Sequence, residues 1–418
     1  MRPLRFVHTA DLHLDSPFEG LRDSAPQHVR DVLLQATFRA YERIIELCVA
    51  EKVDALLVAG DVYDGADRSL PAQLRFIEGL KRLDAEGIRS FVVHGNHDPL
   101  EGWRARLAFP ASCHQFGAEV EAVPFDPALP GRGMVYGVSY PRQVVRDNLA
   151  LRFRRGLHAG PAIGLLHCNV GSNTGHEPYS PCTVEDLVAS GMDYWALGHV
   201  HTRQVLRAQT PTIVYPGSPQ GRHPNERGER GVYVVELGDG ETRLDFRALD
   251  VVRWATIEVD IAALGDEQAL LDTAEFAVEA ARSAATGRDL MYRLVVSGRG
   301  PLHEAVRRPQ FANGLQEHLN AQAGGASPFA WCSRVAVETR VAIDRDALCD
   351  AGDFTAEVLG VFDRSADDAE LQDALDKALS ELFSHHAAGK LLGSVPTGAA
   401  RAALLRQAEE RCLEELLQ

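Results

Sequence analysis

Paired cysteines, long apolar runs and an excess of positive charge are all missing from this chain of 418 residues. Its seven cysteines stand singly with no C-x-x-C pair, which suits reduced thiols in the cytoplasm rather than a disulfide framework. No stretch approaches the roughly 18 apolar residues of a membrane span. The opening MRPLRFVHTADLHLD lacks the apolar core of a secretory signal. No G-x-x-x-x-G-K-[ST] phosphate loop occurs, so an ATP-driven step would need a partner. Lys+Arg number 43 against Asp+Glu 59, a formal net charge of -16. That balance excludes the simplest nucleic-acid binder, a small basic domain that coats phosphates. The acidity is uneven, however. Half of it lies in residues 345–418, and residues 1–250 carry less than a third.

Short apolar runs fill the first 250 residues: Leu4–Thr9, Val53–Ala59, Arg89–His94, Ala162–Leu166, Tyr194–Leu197, Thr212–Tyr215 and Gly231–Leu237. Their length and β-branched content predict buried strands. Helical patterns over Val29–Glu51 and Pro71–Glu86 separate the early ones, so an α/β layered domain is expected. Ligands in such folds sit beyond the carboxyl ends of the strands.

A polar cluster follows each of five runs. They are Asp11-Leu-His13, Gly60-Asp61-Val-Tyr-Asp64, Gly95-Asn96-His97-Asp98, His167, and Gly198-His199-Val-His201. Carboxylate, amide and imidazole donors suit Mn, Fe or Zn better than Ca. A strand period of two would turn both members of Asp11-x-His13, and of His199-x-His201, to one side. The glycines before Asp61, Asn96 and His199 suit turns that need unusual backbone angles. His8 and His94 read as satisfied interior histidines.

This ordered set resembles the signature of the calcineurin-like metallophosphoesterases: D-x-H, G-D, G-N-H-D/E, H and G-H-x-H. The opening HTADLHLDSPF and the order of elements look most like the Mre11/SbcD-type DNA repair exonucleases, in their YhaO-like branch. The resemblance implies a four-layer α/β/β/α sandwich with a small α+β capping domain and C-terminal helices. Asp11, His13 and His201 would bind one metal, Asn96, His167 and His199 a second, and Asp61 both. The implied cofactor is a pair of Mn²⁺ ions, with Mg²⁺, Fe²⁺ or Zn²⁺ as other candidates. Two cations clamp the attacking and leaving oxygens of an in-line displacement. His97 would be the catalytic histidine that is not a ligand, with Asp98 beside it in the catalytic set. Some relatives carry a second histidine three residues after the bridging aspartate, where this chain has Asp64.

Substrate contacts are expected from Arg152, Arg154 and Arg155, from Tyr63, and from His176 or Tyr179 in the turn-rich segment Asn169–Pro181. Arg203, Arg207, Arg222, Arg227 and Arg230 also lie near the metal loops in sequence.

The expected organisation is a metallophosphoesterase nuclease domain over 1–250, an α+β capping domain over 251–345 and a helical region over 346–418 that would dock the partner or, as the alternative, pack as a hairpin on the body. Strands at Trp254–Ile261, Leu290–Val296 and Arg334–Ile343, with helices at Glu267–Ser283 and Phe311–Gln322, would build the cap. A stripe of Leu371, Leu375, Leu379 and Leu382 precedes a break at Gly393–Gly398. A second helix over Ala399–Leu417 carries Leu405, Ala408, Cys412 and Leu416.

The function expected from the resemblance is a Mn-dependent 3′→5′ DNA exonuclease with single-strand endonuclease action. It would serve DNA repair with a Rad50/SbcC-like (YhaN-type) coiled-coil ATPase, and a homodimer is compatible with the family. The alternatives are a phosphodiesterase on a small or cyclic nucleotide, since one fold hosts many substrates, and a non-catalytic scaffold of an ATPase complex.

Overall fold

The computed structural model describes all residues except 1, 19–24, 66–68, 103–104, 172–178, 239, 324–325, 366–367, 385–394 and 417–418. The chain forms two compact units. One comprises Met1–Ile257, Phe276–Leu294 and Gln316–Arg334; the other comprises Glu258–Glu275, Val295–Leu315 and Val335–Gln418.

In the first unit, strands β1 (Leu4–Thr9), β2 (Ala55–Ala59) and β3 (Arg89–Val93) run parallel in the middle of a six-stranded sheet. β4 (Cys113–Gln115) extends it beyond β3, and two antiparallel strands, Gly231–Leu237 and Thr242–Ala248, extend it beyond β1. A second six-stranded sheet begins with β5 (Glu121–Pro124) and β6 (Met134–Gly137), which the sequence reading had not singled out. It continues through β7 (Ala162–His167) and β8 (Tyr194–Gly198) to two further strands, Thr212–Tyr215 and Gln204–Arg207.

Alternation along the strands sorts their side chains into layers. Phe6, Leu57 and Phe91 from one sheet meet Ile163, Leu165 and Ala196 from the other in one buried cluster. Val7, Leu56 and Val58 point the other way, onto helices α1 (Gln27–Ala50) and α2 (Leu70–Ala85). Leu166, Trp195 and Leu197 pack with Leu187 of the short helix α3 (Val184–Ala189). This is the expected α/β/β/α layering. It brings the carboxyl ends of β1, β2, β3, β7 and β8 to one side of the paired sheets.

Strands Val252–Asp260, Asp289–Arg299 and Ala330–Arg340 form a three-stranded sheet, with helices at Glu267–Ala284 and Phe311–Ala323 between them in sequence. Helices Arg345–Asp350, Phe354–Arg364, Ala369–Ser384 and Gly398–Leu416 follow. In the last helix Leu405 and Ala408 are half-buried. Cys412 is exposed and Leu413 is buried, and Arg401 and Glu409 pair with Asp376 and Arg345.

Candidate metal centre

All seven expected ligands converge at the carboxyl ends of β1, β2, β3, β7 and β8, His167 as the last residue of β7 and the others in the loops beyond. The backbone there is not the extended one that a strand period assumes. β1 ends at Thr9 and β8 at Gly198. Asp11, His13, Asp61 and His199 have φ of 53°, 42°, 50° and 104°. Such angles cost of order 1–3 kcal/mol each in a residue with a Cβ and persist only where neighbours hold them. Here the amides of Asp11 and His13 donate to the carbonyls of Gly60 and Asp61 at 3.0 Å. The convergence is therefore a property of interlocked loops, not of strand alternation.

Of the three glycines, only Gly60 has the unusual angle, with φ 92°. Gly95 and Gly198 are present for space. A Cβ on Gly95 would lie 2.3 Å from Asp61 Oδ1, and one on Gly198 would lie 1.9 Å from the Ala59 carbonyl oxygen.

The donor atoms fall into two groups. In one, His13 Nε2 and His201 Nε2 face each other at 3.1 Å beside Asp11. His13 Nδ1 lies 2.8 Å from Asp64 Oδ1, and His201 Nδ1 lies 2.7 Å from Glu226 Oε1. A carboxylate oxygen at that distance accepts a proton from the nitrogen it faces, so Nδ1 is the anchored nitrogen of each ring and Nε2 is the one turned to the shared space. In the other group, His167 Nδ1 donates to the Ala59 carbonyl at 2.9 Å. Its Nε2 then lies 3.0 Å from Asn96 Oδ1 and 3.3 Å from Asp61 Oδ2. Asn96 Oδ1 also sits 3.2 Å from His199 Nδ1. With each Nδ1 engaged, the Nε2 atoms and the Asn96 and Asp61 oxygens converge on spaces that a proton or a metal ion can fill, and histidines backed in this way are the usual means of orienting metal ligands. The donor set fits divalent metals of the Mn, Fe and Zn kind.

Protonation follows from the same contacts. Burial alone would lower His167, but Asp61, hydrogen-bonded to it, and Asp11 raise it to about 9. Burial and Arg222 lower His13 to about 4 against the pull of Asp64. Burial opposes ionisation of Glu226, yet its bond to His201 brings it down to about 2. Burial raises Asp11, whereas Asp61 is held well below the usual carboxylate range by the histidines around it. Ionised Asp61 thus keeps a proton on His167, a place that a bound cation could take over.

His97 stands at the rim, with 41% of its side chain exposed. Its amide donates to Asp61 Oδ1 at 2.9 Å, its ring packs edge-on to His13 at 4.9 Å, and its Nδ1 lies 3.6 Å from Asp64. Asp98 has a different place from the one expected. It is completely buried, accepts from the amides of Val62 (3.0 Å) and Gly95 (2.7 Å), and bonds His94 at 3.0 Å. It clamps two ligand loops together, which makes it a positioning residue.

The expected substrate contacts mostly lie elsewhere. Tyr63 is buried in the apolar layer against Phe76. Arg155 bonds Asp193 and the Gly160 carbonyl, at the amino-terminal ends of β7 and β8. A six-residue strand, roughly 17 Å, separates those ends from the metal loops. Arg152 pairs with Asp147 and Glu119, and Arg152 and Arg154 line an opening with β5 and β6 residues such as Ala122, Met134 and Tyr136. His176 lies outside the described residues. Tyr179 packs edge-on to His199 at 5.5 Å. Arg227 reaches Thr256, Arg203 lies over Phe246, and Arg207 bonds Thr210. Only Arg222 and Arg230 of that group touch the site, at Asp64 and at the His201 carbonyl. The sequence reading missed Glu226, whose only signal was a carboxylate in the glycine-rich stretch after Tyr215.

Sequence comparison agrees with this geometry. Residues 4–203 match the calcineurin-like phosphoesterase model, and residues 254–340 match the middle domain of metallophosphoesterase YhaO. The chain is 38% identical to the metallophosphoesterase YhaO of Bacillus subtilis over 80% of its own length and 82% of that protein. The chain belongs to the calcineurin-like phosphoesterases. As a member of that family it is a metal-dependent hydrolase. It is also 28% identical to the DNA double-strand break repair protein Mre11 of Haloferax volcanii, over 63% of this chain and 56% of that protein. To the D subunit of the SbcCD nuclease of Bacillus subtilis it is 26% identical, over 57% and 67%. No helix among the described residues is long and apolar enough to cross a membrane.

Proposed function

We propose that this phosphoesterase is a two-metal DNA nuclease, a Mn²⁺-dependent 3′→5′ exonuclease with single-strand endonuclease action. In this reading it works in cytoplasmic DNA repair beside a Rad50/SbcC-like coiled-coil ATPase. The observation that carries the chemistry is the pair of converging donor clusters, His13/His201 and Asn96/His167/Asp61, with His13 Nε2 3.9 Å from Asp61 Oδ2 in one pocket. The DNA substrate and the ATPase are supported by similarity to Mre11 and to the SbcCD nuclease subunit.

Asp11, His13 and His201 would hold one ion, Asn96, His167 and His199 the other, and Asp61 would face both. When bound, such a pair neutralises the scissile phosphate and makes a water acidic enough to attack near neutral pH. His97 does the proton work. Its Nδ1 is turned to Asp64, so Nε2 is the nitrogen left to protonate the leaving oxygen. Its exposure at the rim suits contact with a strand arriving from solvent.

The test offers the Mn²⁺-loaded protein labelled single- and double-stranded DNA beside a chromogenic phosphodiester. Degradation of DNA from its 3′ ends, lost in His97→Ala with metal content intact, is expected. Hydrolysis of the small ester alone would replace the nuclease by a small-substrate phosphodiesterase. Metal uptake without hydrolysis of either would leave a scaffold.

A further inference from the structure

Two histidines of the metal pocket, His13 and His201, are each backed by a carboxylate, and both carboxylates lead to the same residue. Arg222 Nη1 lies 3.2 Å from Asp64 Oδ1, the oxygen that also faces His13 Nδ1. The same guanidinium bonds Ser16, whose hydroxyl donates to the other Asp64 oxygen at 2.7 Å. The backbone N–H of Arg222 donates to Glu226 Oε2 at 2.6 Å, and Glu226 Oε1 faces His201 Nδ1 at 2.7 Å. One residue therefore grips the support of His13 with its side chain and the support of His201 with its main chain.

The segment that carries Arg222 is fixed from beneath. Gln220 is buried, accepts from the amides of Val251 (2.8 Å) and Val252 (3.2 Å), and donates to the Val252 carbonyl at 2.7 Å. The Trp254 indole donates to the Gly221 carbonyl at 3.1 Å. A Cβ on Gly221 would lie 2.7 Å from the Glu226 carbonyl oxygen, so the turn closes tightly on itself. By contrast, His167 is oriented by the main-chain carbonyl of Ala59, at the end of a buried central strand, and by nothing in the 220–226 segment.

We propose that Arg222 is the positioning residue of one metal position only, the one formed by Asp11, His13 and His201. The Asn96–His167–His199 position does not depend on it. The inference rests on the two-metal reading above and adds that the two positions have separate supports. They can then be uncoupled by a residue that ligates neither. Loss of an orienting partner of a ligand typically costs 10–100-fold in metal affinity.

The experiment titrates the full-length, metal-free protein with Mn²⁺, following heat of binding and the spin-coupled electron paramagnetic resonance signal of two adjacent ions. The unsubstituted protein is expected to take up two ions. Arg222→Gln and Glu226→Gln should each keep one ion at unaltered affinity and bind the second at least tenfold more weakly. The coupled signal should give way to that of an isolated ion at the same occupancy. Arg222→Lys keeps the charge but not the forked geometry, and should fall between. Two-ion uptake with unchanged affinity in Arg222→Gln would overturn the proposal alone. Equal weakening of both ions, in a variant whose metal-free melting temperature is unchanged, would also overturn it. Uptake of fewer than two ions by the unsubstituted protein would overturn it together with the two-metal reading, and that is measured first.

Discussion

The metal pocket and the C-terminal helices dispose of their side chains in opposite ways. Six of the seven ligand candidates are buried, and the seventh, His201, reaches the surface together with the neighbouring His97. Between Arg345 and Leu416, by contrast, Leu359 and Leu413 are the fully buried apolar side chains among the described residues. Phe354, Val361, Leu382, Leu404 and Leu416 stay exposed there, Phe354 by 66%. In the pocket, polar atoms hold one another in strained loops and turn metal-binding donors to a shared space. Along the helices, charged pairs such as Arg345–Glu409 and Arg401–Asp376 secure the packing and apolar surface is left over. Substitution should therefore damage chemistry in the first region and association in the second.

The harshest test of that division is Asp61→Ala. It removes the carboxylate that faces both groups and frees the His97 amide. Metal content should drop and hydrolysis should fall to background, as read by elemental analysis and a rate assay. Retention of two ions would mean that Asp61 faces the metals without holding them.

His97→Gln should be the next largest effect, about a 10²–10⁴-fold lower kcat with both ions retained. Because the ring is at the rim, the melting temperature should hardly move. A loss of metal instead would merge His97 with the ligand set.

A smaller effect concerns His8, which sits beneath the pocket between the sheets, bonded to Tyr194 Oη at 2.9 Å and the Leu197 carbonyl at 3.2 Å. Burial lowers it from 6.5 to about 3, slightly offset by that carbonyl. Below pH 6.5 the unfolded chain takes up a proton that the native state refuses. Stability is therefore full above about pH 6.5 and lost as pH falls toward 3, by up to a few kcal/mol. Denaturant melts of wild type and His8→Gln across that window should show a shallower acid limb in the variant. Parallel limbs would remove His8 from the account.

The gentlest substitutions belong to the helices. Phe354→Glu and Val361→Glu should each change stability by less than about 0.5 kcal/mol and leave hydrolysis intact, since both side chains are already exposed. Binding to a coiled-coil ATPase partner, followed by co-sedimentation, should weaken. Undiminished binding together with a large loss of stability would show that the face is structural.

How much of this was legible in the chain depends on the distance over which each contact acts. Asp11, His13, Asp61, Asn96, His167, His199 and His201 stood out because each closes an apolar run, and strand order alone predicts where such ends meet. Asp98 was misplaced, and Tyr63 lies in the core that its aromatic ring suited as well as a substrate contact, because a residue near a ligand in sequence can point inward. Arg155 was misplaced because sequence does not say at which end of a strand a loop lies. Its partner Asp193 shows that it is the end away from the metals.

The sequence by itself determined the layered α/β architecture, the ligand types and their order, since period-two burial and donor chemistry are local properties. Only the tertiary structure decided that the ligand loops lock through left-handed backbone and not through strand alternation. It alone decided, too, that Asp64 and Glu226, 162 positions apart, back two facing histidines through Arg222. Such partnerships arise between loops of two different sheets, and no spacing in the chain encodes the distance at which those loops come to rest.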